Sequence, residues 1–371
     1  MRIAIVSESF LPQVNGVTNT VRHVARRLVE TGHQPLVIAP GPGDDHHLGV
    51  PVVRVRSLPL PRYKSFPVGL PDQVVAQALA DFRPDVVHLA SPAVVGYSGL
   101  RAARRLGIPT VAVFQTDLAG FARGYHLRAD APVWAWLRRI HSRADRTLAP
   151  TPTTMQQLQA HGVPRVHVWG RGVDLGQFDP RRRTDRLREW LAPNGELLVG
   201  YVGRLAAEKQ VRRLAAVTDI PGTRLVVVGE GPERPWLERS LSGAVFLGLR
   251  QGDDLAEVFA SLDVFAHTGT YETYCQAVQE AQASGVAVVA PGAGGPLDLV
   301  EHGRTGVLYE PSDPYALRRA VVAVARDDAF RDRLADGGRA AVAGRSWDRL
   351  VDDLVDRHYA TLVAGTPARA A

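Results

Sequence analysis

The sequence is short of sulfur and lysine and has no long apolar run. Cys275 is the single cysteine among 371 residues, which excludes a disulfide framework and every zinc module built on several cysteines. It has no partner motif around it, which argues against a thiol nucleophile. No stretch approaches eighteen apolar residues, so no membrane span is expected. HExxH, GxSxG and P-loop patterns are also missing. His46-His47 sit in a polar stretch and read as exposed rather than metal-binding. Only two of the 44 basic residues are lysines, Lys64 and Lys209.

What is there describes a globular chain. It is 45% hydrophobic and 22% charged, and its length suits two domains better than one core. The first residues, Met1 to Glu8, read as a β-strand and not as a signal peptide, because Glu8 comes too early. The expected location is therefore cytoplasmic. The formal charge of +6 is uneven: residues 1–180 carry 20 basic and 12 acidic side chains, a net of +8, and residues 181–371 a net of −2. A basic first half points to an anionic partner, either a phosphorylated ligand or an anionic lipid surface. Nucleic acid is a distant third, since no recognisable module carries the basic residues.

Short β-branched runs recur along the chain at Ile3–Val6, Leu36–Ala39, Val52–Val55, Asp85–Leu89, Thr110–Phe114 and Arg146–Ala149. They resume at Val166–Trp169, Leu197–Val202, Arg224–Val228, Val245–Leu247, Val264–His267, Val286–Ala290 and Gly306–Tyr309. Helical stretches lie between most of them. That alternation predicts α/β architecture with parallel sheets covered on both faces. So many strands predict two doubly wound, Rossmann-like domains, over 1–175 and 190–346, with Gly176–Asn194 as the connecting stretch. A helix is expected from Trp347 to Leu362.

Four strand-to-loop segments offer chemistry. Gly16 precedes a helical run, and a strand, glycine loop and helix N-terminus together make an anion site; a plain Asn-Gly turn is an equal alternative. Arg204 and Lys209 flank a turn expected to lead into a helix, where a guanidinium fork and an ammonium can converge on one diphosphate. Two solvated cations are the bland alternative. Glu272 and Glu280 are eight residues apart, about 80° off a shared helical face. The pair makes sense if Glu272 lies in a loop and holds sugar hydroxyls while Glu280, on the following helix, holds a ribose; taken alone, a surface glutamate at each place is the favoured alternative. Gly292 to Gly295 follow another strand, and their amides can line a phosphate or sugar pocket; a flexible βα loop is an equal alternative.

Taken together, these segments resemble the retaining GT-B glycosyltransferases of family four over nearly the whole chain. The resemblance rests on Glu272 and Glu280, on Gly203-Arg204 with Glu208-Lys209, on the Gly16 loop, and on Gly294-Gly295 with Gly306. Trp169 to Asp174, Phe114 to Asp117 and Tyr274 to Glu280 look like the actinobacterial GDP-mannose-dependent α-mannosyltransferases that act on glycolipids. The resemblance implies two Rossmann-like domains facing across a cleft, the first completed by the helix near 347–362. It implies a nucleotide-sugar co-substrate, GDP-mannose, with no metal. Arg204 and Lys209 would grip the diphosphate, Glu280 the ribose, and Glu272 the transferred sugar. Gly16 would donate its amide to the distal phosphate. Tyr274, Cys275, Gln276, Gln115 and Gly294 would complete the substrate surface. Gln115 stands where many relatives carry His; as glutamine is no base, Asp117 is the nearest protein candidate, and the leaving phosphate is the alternative.

The acceptor is then a glycolipid or a small molecule, and the protein sits peripherally at the inner face of the membrane. Arg101, Arg104 and Arg105, with Trp134, Trp136, Arg138 and Arg139, form the basic and aromatic patches suited to an anionic surface; core tryptophans with solvated arginines are an equal alternative. A UDP-sugar donor with a soluble acceptor, a sugar-nucleotide epimerase of the same architecture, and a two-lobed sugar-binding protein are the competing functions.

Overall fold

The computed structural model describes residues 1–371 other than 61–62, 71–72, 117–129 and 366–371. The described residues before Gly172 form one unit together with those from Trp347 on, and Gly172–Ser346 form a second.

In the first unit the strands are β1 (Arg2–Ser7), β2 (Gln34–Pro40), β3 (His46–His47), β4 (Val50–Val55), β5 (Ser57–Leu60), β6 (Tyr63–Gly69), β7 (Val86–Ala90), β8 (Thr110–Val113), β9 (Arg146–Ala149) and β10 (Val166–Val168). Eight of them make one sheet in the order β10-β9-β8-β7-β1-β2-β4-β3, while β5 and β6 form a separate antiparallel pair. All neighbours in the large sheet are parallel except β3 and β4. Its helices are α1 (Gly16–Glu30), α2 (Gln73–Phe82), α3 (Val95–Arg105), α4 (Asp130–His141) and α5 (Pro152–Ala160).

Successive β1 side chains enter opposite cores, as a doubly covered parallel sheet requires. Ile3 and Ile5 pack with Val21, Val24 and Leu28 of α1. Ala4 and Val6 pack with Leu79 of α2 and Val95 and Leu100 of α3. α1 starts where Asn15 caps it, its Oδ1 accepting from the amides of Val17 and Thr18 at 3.0 Å each. Such a cap contributes about 1 kcal/mol.

The C-terminal segment also packs on this unit. The continuous helix expected from Trp347 is instead an α-helix (Trp347–Asp353), a π-helical turn (Leu354–Tyr359) and a last short helix (Ala360–Ala364). Trp347 stacks on His23 with centroids 4.6 Å apart, and Arg27 forks onto Asp352 at 2.8 and 2.7 Å. Tyr359 is fully buried with its hydroxyl 2.6 Å from His88 Nδ1.

The second unit holds β11 (Leu197–Val202), β12 (Thr223–Val228), β13 (Val245–Gly248), β14 (Val264–Ala266), β15 (Ala287–Pro291) and β16 (Val307–Tyr309), an all-parallel sheet in the order β13-β12-β11-β14-β15-β16. Its helices are α6 (Asp185–Leu191), α7 (Arg234–Ser240), α8 (Gly252–Ser261), α9 (Gln276–Ala283), α10 (Pro296–Leu299), α11 (Ala316–Arg326) and α12 (Asp328–Val342). The stretch read as a connection, Gly176–Asn194, packs into this unit: Phe178 and Leu191 join its core, and Arg188 of α6 bonds Asp263 at 2.8 Å.

The α/β, doubly wound reading of the sequence holds for both sheets, and every run read as a strand pairs in one of them. His46-His47, read as loop, form the edge strand β3. The helix expected after Arg204 is replaced by two 3₁₀ turns, Ala207–Lys209 and Val211–Val217, which meet at Gln210 with φ of +52°. A left-handed residue cannot continue a right-handed helix. No helix among the described residues is long and apolar enough to cross a membrane.

Candidate functional site

In each unit the chain reverses its direction of winding beside the first strand. The reversal lies between β1 and β7 in the first sheet and between β11 and β14 in the second. Ligands of open α/β sheets bind at the carboxyl ends of strands beside such a switch point.

In the second unit the loops after β11, β14 and β15 meet there. Lys209 Nζ lies 2.6 Å from Glu272 Oε1, and the Lys209 carbonyl accepts from Thr268 Oγ1 at 2.7 Å. Gln210 Nε2 donates to Thr270 Oγ1 at 2.6 Å. Arg204 is half-exposed and pairs with the buried carboxylate of Glu208. Both basic residues are thus held by carboxylates at the end of β11. Glu272 is in the loop, and Glu280 lies on α9.

The Gly-rich turn after β15 supports this loop by close packing. Gly295 N donates to the Glu272 carbonyl at 2.7 Å. A Cβ on Gly294, at φ +61°, would come within 2.7 Å of the Glu272 carbonyl, and one on Gly295 within 2.3 Å of the Tyr274 carbonyl. Glycine is required because backbone meets backbone. Gly294 therefore holds the glutamate loop in place. Cys275 caps α9 in the left-handed region at φ +79°, a conformation that costs about 1–3 kcal/mol for a non-glycine residue. Tyr274 is buried and its hydroxyl donates to Gln279. Gln276 Nε2 donates to the Gly172 carbonyl at 2.9 Å.

The electrostatics follow from this packing. Burial alone would raise the Glu272 pKa, but Lys209 and His267 outweigh it and hold the carboxyl below the usual range. Burial likewise opposes the charge on Lys209, and Glu272 overrides it, so the ammonium is favoured. Glu280 has no such cation: burial pushes it up to about 7, against a hydrogen bond from Gln276.

Sequence reasoning missed His267, at the end of β14. It is 3% exposed, lies between the rings of Tyr201 and Phe265 at centroid distances of 6.4 Å, and sets Nε2 3.4 Å from Glu272 Oε1. Burial opposes its protonation, but Cys275 and Glu272 outweigh that and raise it to about 10. The ligand atoms of His267, Glu272 and Cys275 all lie within 4.8 Å of one another. Such a set has the chemistry to hold a divalent transition metal, although the Lys209 ammonium already occupies the side of Glu272 that it bonds.

In the first unit the amide end of α1 begins at Gly16. Arg171, which belongs to the Trp169 to Asp174 stretch but received no role from the sequence, lies beside it: a Cβ on Gly16 would be 3.1 Å from Arg171 Nη1. The same guanidinium donates to Gln115 Oε1 at 3.2 Å, and both side chains are buried. The structure thus brings Gly16 and Gln115 to one guanidinium. Asp117 lies outside the described residues. The two tryptophans of α4 separate: Trp134 is buried, stacked 3.7 Å from the His161 ring, and Trp136 is exposed.

Comparison with known proteins agrees with this architecture. A family model described as Glycosyltransferase Family 4 matches residues 14–177, and one described as Glycosyl transferases group 1 matches residues 183–341. The GDP-mannose-dependent alpha-mannosyltransferase of Mycobacterium tuberculosis is 50% identical over 367 residues, covering 97% of this chain and 96% of that protein. A protein of the same description from Corynebacterium glutamicum is 43% identical, covering 98% of this chain and 90% of its own length. Among solved structures, Anabaena HepE in complex with UDP and glucose superimposes with a TM-score of 0.79 at 21% identity, covering 97% of this chain and 99% of its own.

Proposed function

The chain belongs to glycosyltransferase family 4, and from that premise we propose that it moves mannose from GDP-mannose to a hydroxyl of a lipid-linked acceptor, with retention at the anomeric carbon. The observation that carries this reading is the Lys209–Glu272 pair, 2.6 Å apart at the switch point of the second sheet. It couples a cation suited to a diphosphate with a carboxylate suited to sugar hydroxyls.

In this reading Lys209 and Arg204 neutralise the diphosphate as it leaves, so side-chain cations do the work a divalent ion does elsewhere. Glu272 orients the mannose, and Glu280, backed by Gln276, takes the ribose hydroxyls. The amides around Tyr274 and Cys275 present donors to anionic oxygens, while Gly294 fixes the loop that carries them. The bond from the anomeric carbon to phosphate oxygen breaks, the bond to acceptor oxygen forms on the same face, and the acceptor proton passes to the departing phosphate. Gln115 cannot take that proton, and its amide is suited to holding the acceptor. Gly16, at the amide end of α1, serves an anionic oxygen. The acceptor is reached while the protein sits peripherally on an anionic membrane.

The test is turnover with a panel of donors. Incubation with GDP-mannose and a membrane-lipid extract should yield a mannosylated lipid and GDP, with EDTA present and without it. UDP-glucose should give neither product. Turnover of UDP-glucose in place of GDP-mannose would overturn the donor assignment. An isomerised sugar formed from donor alone would replace transfer by epimerisation.

A further inference from the structure

Residues 91–116 and 131–165 hold eight arginines and one acidic side chain, Asp145. Asp145 is already engaged, accepting from the Thr110 amide and hydroxyl at 2.8 Å each. The fold gathers most of these arginines onto one exposed face of the first unit. α3 presents Arg101, Arg104 and Arg105, all exposed, and the segment ending α4 presents Arg139 and Arg143, also exposed, while Arg138 lies by Gly162 after α5. No ion pair joins any of these five to a carboxylate among the described residues. Where the arginines do bond, they bond neutral groups: Arg104 Nη1 to Arg143 O at 3.1 Å, Arg143 Nη1 to Arg139 O at 3.4 Å, and Arg139 to the Tyr97 hydroxyl. Those contacts fix the guanidinium positions without neutralising them.

Between the two elements lies a groove of about 330 Å³ lined by Tyr97, Leu100, Arg101, Arg104, Arg105 and Arg143. At its margin Tyr97 packs on Trp136, ring centroids 4.7 Å apart. Trp136 is 37% and Leu106 40% exposed. Five guanidinium groups, Arg101, Arg104, Arg105, Arg139 and Arg143, with no carboxylate partner among the described residues, surround an amphipathic aromatic pair and an exposed leucine. This matches an anionic lipid interface, where headgroup phosphates meet the cations and ring edges enter the headgroup layer. A face that only kept the protein in solution would mix both signs of charge.

We propose that this groove between α3 and the end of α4 is the membrane-docking site of the protein, taking the phosphate of an anionic phospholipid headgroup within a bilayer surface. It rests on the peripheral-membrane part of the proposed function and deepens it by naming the surface.

The experiment is vesicle flotation of the full chain. Vesicles of phosphatidylcholine alone are compared with vesicles in which a third of the lipid is phosphatidylglycerol. Two double variants have equal total charge. Arg101→Glu with Arg105→Glu alters the groove. Arg239→Glu with Arg326→Glu alters exposed positions of the second unit. Circular dichroism melts confirm that both fold.

The wild type is expected to float with anionic vesicles only, and to be released as salt shortens electrostatic reach. The groove variant should bind at least about tenfold more weakly, and the control variant like the wild type. A wild type that ignores anionic vesicles overturns the membrane reading itself. A wild type that binds while the groove variant binds equally well overturns the groove assignment alone. So does equal weakening of both variants, which would reflect net charge only. Release by millimolar inorganic phosphate at constant ionic strength would assign the groove to a free anion instead of a bilayer.

Discussion

Two histidines, one in each unit, are buried almost equally and respond in opposite directions. His88 on β7 is 1% exposed and His267 after β14 is 3% exposed. Burial pushes His88 down to about 3, and its near partner is the neutral hydroxyl of Tyr359 at 2.6 Å. His267 is subject to the same burial, yet Cys275 and Glu272 drive it above its ordinary value. His141 and His358 of the first unit follow His88, each lowered to about 4 by burial. Depth of burial therefore does not set the charge of an imidazole; an ionised neighbour does. The first unit uses buried histidines as neutral joints, one of them clamping the C-terminal segment to β7. The second concentrates charge at its switch point, where we propose the donor is read.

The largest expected effect comes from removing the anion that sustains this contrast. Glu272→Gln leaves Lys209 and His267 without their shared counter-charge. Turnover of GDP-mannose should fall about 100-fold or more, and melting should also drop because a partly buried pair has lost one member. Retention of turnover within threefold would show that the charge cluster plays no part in transfer.

A smaller effect isolates His267 itself. His267→Phe keeps a ring between Tyr201 and Phe265 but loses the polar contact to Glu272. Turnover at saturating donor should fall about tenfold through misplacement of the carboxylate, with little change in the donor KM. His267→Gln should recover part of the loss. Equal damage from both variants in melting and turnover alike would make His267 a packing residue only.

The neutral joints predict acid sensitivity. A folded-state pKa held below the unfolded value means that the unfolded chain binds the extra proton first. The His88 contribution is intact above about pH 6.5 and is lost as pH falls towards about 3, amounting to about 2 kcal/mol by pH 5. Urea unfolding of the wild type and His88→Phe at pH 7 and pH 5 measures it: the wild type should lose stability more steeply with acid. Parallel slopes would contradict a neutral buried His88.

Glu280 carries the opposite sign and the smallest effect. Its pKa, raised to about 7, lets the folded state keep a proton that the unfolded state releases. Wild-type stability should thus fall relative to Glu280→Gln as pH rises from about 4.5 to 7. After allowance for partial exposure the difference is about 1 kcal/mol at pH 7. A constant difference across that range would mean an ordinary, solvated carboxylate.

Much of the fold was legible in the sequence because doubly covered parallel strands read as unbroken apolar runs. Leu197–Val202 and Val286–Ala290 are examples. The hairpin of β5 and β6 was not legible, since Pro59 and Pro67 interrupt its pattern. Gln210 hid the 3₁₀ turns after Arg204, as nothing in its chemistry announces a left-handed backbone. At the site, the loop position of Glu272 could be read from its spacing to Glu280. His267 could not, for a lone histidine ending a strand gains meaning only when the Glu272–Cys275 loop folds back over it. Arg171 stood in the Trp169 to Asp174 stretch, but its contact was illegible, being far in sequence from both Gly16 and Gln115. Trp134 and Trp136 looked alike on paper, yet residues two apart on a helix point to different sides. One entered the core and the other the surface.

The most direct test of the central claim is single-turnover consumption of GDP-mannose by Lys209→Ala, with EDTA present and folding checked by circular dichroism. The second unit is held to neutralise the departing diphosphate through this ammonium, so the rate should fall about 100-fold while the melting curve stays cooperative. A well-folded variant that consumes the donor at a near-normal rate would contradict it.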